Sequence, residues 1–238
     1  MTLAPRTDSA LRKYWSDRLG VDEAAFDRGQ ATVGVAAEDG IQLFHCGDSL
    51  VVGAPESLAE SVRQQATAVE SLDCTDAESV REWFERFGSV TQVLGPTFYG
   101  YADSESFTPV SSNARLLTPV EESAYNRFRM AIPDEEWANG GTPFAPGETI
   151  GLFRGDALAA IAGYEVWDDF VAHIAVVTHP DHRGEGNGRA VVSRMTERAL
   201  AGSLVPQYRT ADEWPWSVAL AERLGFERFA TATLVCFE

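Results

Sequence analysis

Lysine is almost missing from this chain. Lys13 is the only one, and every other cationic side chain is an arginine. With 19 basic residues against 36 acidic ones, the formal net charge is −17. A field of that sign repels polyanions, which disfavours nucleic acid as a direct partner, and it would steer a cationic substrate inward. The same acidity suits a well-hydrated surface in a high-salt, halophilic cytoplasm, and the residues leave both readings open. Cysteine is also scarce. Cys46, Cys74 and Cys236 contain no CxxC pair, so they suggest neither a zinc site nor an even disulfide framework, and no metal is expected. No apolar run reaches the ~18–20 residues of a membrane span. The start, MTLAPRTDSALRKYW, lacks the charged-then-apolar order of a signal peptide. The expectation is a cytoplasmic protein with no membrane partner.

The 238 residues, 45% of them hydrophobic, can form one large or two small domains with a buried core. Ser9 to Leu19 reads as a helix closed by Gly20. Ala31 to Ala36, Ile41 to Cys46 and Leu50 to Ala54 read as short strands separated by DG and GD turns. Helices follow from Pro55 to Ala68 and from Asp76 to Phe87, then strands from Val90 to Leu94 and Thr97 to Tyr101. This first half is α+β and carries no chemical motif. His45 and Cys46, on an apolar strand, suit a core pair. The polar, serine-rich stretch from Asp103 to Asn113 reads as a linker, with domains at 1–108 and 109–238. Beyond it come a strand at Ala114 to Leu117, a helix from Pro119 to Met130, and a Gly/Pro-rich loop from Asn139 to Gly147. A hairpin then turns at Gly155-Asp156 between Glu148–Arg154 and Ala157–Val166.

The stretch from Phe170 to Gly202 holds the chemistry. Phe170 to Thr178 is apolar and β-branched, which suits a buried strand. RGEGNG (Arg183 to Gly188) follows, then an amphipathic helix presenting Val191, Val192, Met195, Ala199 and Leu200. Glycines let a ligand approach the main chain, and the unpaired amides at a helix start, where the dipole is positive, bind anions. The loop therefore reads as a phosphate or pyrophosphate cradle. No lysine completes a Walker GxxxxGK, and the late position and Arg-x-x-Gly-x-Gly spacing do not fit a dinucleotide GxGxxG.

Arg-x-x-Gly-x-Gly behind VVTHP resembles motif A of the GNAT superfamily of acyl-CoA-dependent N-acyltransferases, and SVALAERLGF (Ser217 to Phe226) looks like its motif B. The resemblance covers roughly residues 112 to 238. It implies a mixed α+β fold in which Arg183, Gly184, Glu185, Gly186, Asn187, Gly188 and Arg189 hold the pyrophosphate of coenzyme A. Val176, Val177 and Thr178 would offer main-chain groups to the pantetheine arm. The strand–strand–helix order of the first half could be a degenerate copy of the same fold, an analogy only.

The implied activity is N-acetylation by acetyl-CoA, a co-substrate, of a primary amine on a small molecule or protein. A homodimer is compatible with this reading. Direct transfer needs a base for the amine, stabilisation of the oxyanion and a proton for the leaving thiolate, without a covalent enzyme intermediate. His173, inside the strand, reads either as that base or as a core histidine, and Glu165 in the hairpin is the second candidate. Asp168 and Asp169 could attract a cationic amine, and the amide of Val176 or Val177 could polarise the thioester carbonyl. His179 and His182 read as packing or turn residues. Many members carry a tyrosine four residues before the motif B glycine. Here Ala221 stands in its place, which leaves Tyr208 or water to protonate the thiolate. A non-catalytic acyl-CoA sensor, or a nucleotide binder using the same loop, remains an alternative.

Overall fold

A computed structural model describes residues 2–37, 39–74 and 76–238 and shows an α+β protein. Contacts divide the chain into two compact units, each discontinuous in sequence. One gathers Ala4–Tyr99, Thr210–Val218 and Arg228–Glu238. The other holds Gly100–Arg209 and Ala219–Glu227. A single boundary at 108/109 is the expectation from composition, whereas these units interleave along the chain.

In the first unit, helix α1 (Pro5–Leu19) starts on a proline, carries Asp8 in its first turn and Arg18 in its last, and is closed by Gly20 at φ +68°. Leu11, Trp15 and Leu19, four apart, are buried along one face. Trp15 packs on Phe44 at 4.6 Å and on Tyr99 at 5.7 Å, while Lys13 pairs with Asp17 at 3.1 Å on the outside. Strands β1 (Ala31–Val35), β2 (Gly40–Cys46) and β3 (Ser49–Ala54) follow. Parallel β1 and β3 stay in register over the whole of β1, from Ala31↔Leu50 to Val35↔Ala54.

The helix expected from Pro55 to Ala68 is two helices, α2 (Glu56–Arg63) and α3 (Ala66–Glu70), because Gln65 leaves helical geometry at φ −109°, ψ 14°. Helix α4 (Ala77–Phe84) is capped by the Asp76 carboxylate, which accepts from the amides of Glu78 and Ser79. The two strands expected between Val90 and Tyr101 are one, β4 (Val90–Tyr101), which contains Gly95 at φ +127° and a cis Gly95-Pro96 bond. Ile41, Leu43, Val52, Val62, Val80, Phe84 and Val235 build the core of this unit.

The second unit opens with β5 (Arg115–Leu116) and α5 (Glu122–Ala131). Residues expected in the loop from Asn139 instead begin within a helix, α6 (Asp134–Gly140). Pro133 precedes it, and Asp134, Glu135 and Glu136 fill its first turn, where the dipole favours carboxylates. Then come β6 (Ile150–Arg154), β7 (Ala157–Trp167), β8 (Val171–Thr178), α7 (Asn187–Ala201) and β9 (Val205–Ala211), followed by α8 (Pro215–Arg223) and β10 (Glu227–Phe237). β10 pairs antiparallel with β2, within the first unit. The second unit's strand order is β9-β8-β7-β6-β5, antiparallel except for the parallel β8–β9 pair.

One face of this sheet is sealed by a cluster of Leu117, Phe128, Ile132, Leu158, Ile161 and Val177. Truncating wholly buried Leu117 to alanine would destabilise this packing by about 2–5 kcal/mol. It is this sheet and its strand-to-helix turn that position the site.

Candidate functional site

The turn between β8 and α7 divides its glycines by task. Gly184 and Gly186 have φ of +76° and +78°, and a Cβ built on either would meet nothing within 4 Å. They permit the left-handed bends and leave open space above the main chain. Gly188 does different work. A Cβ there would lie 2.8 Å from Thr178 Oγ1, so this glycine lets the first turn of α7 close onto the end of β8. The loop is held from inside by Asn187, which is 1% exposed. Its Nδ2 donates to the His182 carbonyl at 2.9 Å and to Glu185 at 3.1 Å, and its Oδ1 accepts from Arg154 at 3.0 Å. The first turn of α7 contains no acidic residue, so its amides and its positive dipole end are uncompensated by the helix itself.

Arg183 is engaged elsewhere in this structure. Its guanidinium donates to both carboxylate oxygens of Glu136 on α6, at 2.7 and 2.6 Å. The other end of α6 touches β8: a Cβ at Gly140 would sit 2.5 Å from the Val176 carbonyl oxygen. Arg189 lies half-buried in the first turn of α7.

The second feature is a ladder that stops. β8 and β9 pair from Val171↔Val205 to Ile174↔Tyr208, while β8 runs on to Thr178. Along its other edge β8 stays paired throughout, with Ala175↔Gly163, Val176↔Ala162, Val177↔Ile161 and Thr178↔Ala160. Ala175 to Thr178 thus offer a main-chain edge that no β9 residue satisfies, next to the glycine turn. Buried main-chain groups require partners, so such an edge suits an extended, amide-bearing ligand.

The two candidate bases meet. Glu165 on β7 and His173 on β8 are directly opposed across the ladder, and His173 is likewise opposed to Gln207 on β9. His173 Nδ1 lies 3.0 Å from Gln207 Oε1, and the ring stacks on Trp167 at 4.4 Å between centroids and 19° between planes. Burial, with a smaller contribution from Arg209, pushes His173 down to about 4, against the opposing pull of the Gln207 hydrogen bond and Glu165. It is a neutral imidazole at pH 7. Gln207 and Tyr101 escaped the sequence reading, since a buried glutamine and a strand tyrosine carry no motif. Asp168 and Asp169 form the β7–β8 turn at φ 52° and 53°, and His179 accepts from the Asp181 amide at 3.2 Å, a turn role as expected.

A family model for GNAT acetyltransferases matches residues 147–233, the span that contains this turn and this open ladder. Residues 147–233 are a GNAT acetyltransferase domain. No curated protein matches the chain in sequence. Among solved structures, a GNAT-family acetyltransferase from Colwellia psychrerythraea is 10% identical with a TM-score of 0.51, over 100% of this chain and 76% of that one. A GCN5-related N-acetyltransferase from Kribbella flavida is 18% identical, TM-score 0.47, over 99% and 96% of the two chains. A Salmonella typhimurium protein, described as an acetyltransferase with its cofactor acetyl-CoA, is 15% identical, TM-score 0.39, over 53% and 92%. The first of these speaks to the fold.

Within the GNAT domain, the position that the family resemblance assigns to a tyrosine is Ala221, wholly buried. Tyr208 is 4% exposed and packs on Phe226 at 5.7 Å; it stands at the last paired position before β8 and β9 part. Among the described residues no group of three or more His, Cys, Asp or Glu is placed to hold a metal, and no helix is long and apolar enough to cross a membrane.

Proposed function

We propose that the GNAT domain transfers an acetyl group from acetyl-CoA directly to a primary amine of a small molecule or protein. The observation that carries this reading is the open β8 edge from Ala175 to Thr178 abutting the Gly184–Gly188 turn. Strand edge and helix-start amides fit, in that order, an extended amide chain and a diphosphate. Acetyl-CoA, when bound, supplies an activated thioester. The amides of the turn hold its diphosphate, with Arg183 adding charge when it leaves Glu136, and Val176, Val177 and Thr178 bind its arm through main-chain groups.

His173 takes the proton from the amine nitrogen, directly or through a water, with Glu165 opposite as the second candidate. The nitrogen lone pair bonds to the acyl carbon, an amide N–H of Val176 or Val177 receives the developing oxyanion, and the C–S pair departs with the thiolate. Tyr208, at the apex of the open ladder, or water returns a proton to sulfur. The loss of the motif B tyrosine at Ala221 favours a second reading, a domain that binds acyl-CoA without turning it over.

Titration calorimetry with acetyl-CoA, paired with a thiol-release screen over amines, tests both. Binding with release on at least one amine is the expected result. Binding with none would leave the sensor, and ATP binding that coenzyme A does not displace would overturn both.

A further inference from the structure

We propose that Gln207 is the positioning residue for His173: anchored by the Tyr101 hydroxyl, its side-chain carbonyl accepts the Nδ1 hydrogen of the imidazole and leaves the Nε2 lone pair to receive the acceptor's proton. The proposal rests on the reading of His173 as the base.

Gln207 is 0% exposed, and a buried amide must find partners for both its ends. It finds two. Its Oε1 lies 3.0 Å from His173 Nδ1, and its Nε2 donates to the hydroxyl of Tyr101, itself 0% exposed. The parallel register places His173 and Gln207 opposite each other, so the contact is built into the ladder. An amide oxygen has only lone pairs to offer, so the ring nitrogen facing it carries the hydrogen. A neutral imidazole has one such hydrogen, which leaves Nε2 as an acceptor. Trp167, stacked on the ring, fixes its plane, so the hydrogen bond and the stack together determine where Nε2 points. The charged groups facing the imidazole are Glu165 from β7, which favours the cation, and Arg209 from β9, which opposes it.

A glutamine suits this place better than a carboxylate would. A glutamate would favour the imidazolium and so narrow the pH range over which the Nε2 lone pair is free to accept.

Nitrogen-15 NMR of histidine-labelled protein reads the tautomer without turnover. His173 is expected as the Nδ1–H form in the wild type, and Gln207→Leu is expected to lose that preference and to lower kcat about tenfold or more while KM changes little. Tyr101→Phe should do the same to a smaller degree. Gln207→Glu should keep the Nδ1–H and shift the acid limb of the kcat profile upward by about one pH unit or more, because a carboxylate beside the ring favours imidazolium. This shift separates positioning from a structural role and remains readable if Gln207→Leu folds poorly. A wild-type Nε2–H tautomer, or a tautomer and pH limb indifferent to both Gln207 variants, overturns the proposal. Full turnover by His173→Ala instead removes His173 as the base, a separate failure that does not depend on the tautomer.

Discussion

Each unit contains a parallel strand pair and a helix that follows one of its strands, and the two treat these parts in opposite ways. In the first unit β1 and β3 remain paired along all of β1, and β3 enters α2 through Pro55, which has no amide hydrogen to offer. Glu56 then places a carboxylate in the first turn of α2, at the positive end of its dipole. In the second unit β8 leaves β9 after Ile174, and the link to α7 is a glycine turn whose helix begins without an acidic residue. One arrangement satisfies its own main chain and its own dipole. The other leaves Ala175 to Thr178 without a β9 partner and starts its helix without a carboxylate of its own. The proposed site is thus made by withholding partners as much as by adding groups.

The contrast extends to the histidines. Burial lowers both His45 in the first unit and His173 in the second. His45 Nε2 is buried without a hydrogen-bond partner among the described residues, whereas His173 is held by Gln207. His173, with an ordinary value of 6.5 and about 4 in the fold, is expected to give the largest effect on stability. The unfolded chain binds the proton first as pH falls, so stability present above pH 6.5 is lost toward pH 4, by about 3 kcal/mol. Denaturant unfolding across that window should lose about one proton's worth of slope in His173→Ala, and an unchanged slope would break the assignment.

Next in size, Gly186→Val forces a β-branched residue to φ +78° at about 1–2 kcal/mol and fills the space above the turn. Calorimetry should show coenzyme A affinity down tenfold or more. Glu56→Gln, which removes the carboxylate from the first turn of α2, should create no affinity in the first unit, because that ladder stays closed. Smaller still, Glu136→Gln frees Arg183 from a half-exposed pair worth about 0.2–1 kcal/mol, so coenzyme A should bind up to about fivefold tighter. Weaker binding would mean that Glu136 orients Arg183 and does not compete for it. The acidity bears on both units alike: if it is a high-salt adaptation, the thermal midpoint should rise from low to molar KCl, and a flat response would remove that reading.

Much of this is legible in the sequence. The hairpin around Gly155-Asp156, the apolar strand, the glycine turn and α7 follow from periodicity and turn chemistry, and each lies where those signals put it. Helix α6 was hidden because its seven residues end in Asn-Gly, a loop signature, and its acidic first turn speaks only once a helix is assumed. The stopping point of the β8–β9 ladder, the return of β10 to β2 and the meeting of Arg183 with Glu136 are tertiary facts without local cause. The packing role of Gly188 is hidden for a related reason: three glycines at alternating positions look alike until Thr178 is seen beneath one of them.

The Lys13–Asp17 pair on the outer side of α1 has a practical corollary. A chain with one lysine has, apart from its amino terminus, a single side-chain amine on which acetyl groups could collect, and that amine is paired with the Asp17 carboxylate at 3.1 Å. In any reaction mixture, mass spectrometry can therefore attribute acetyl-lysine away from position 13 to the acceptor, so self-modification and true turnover are told apart by one peptide.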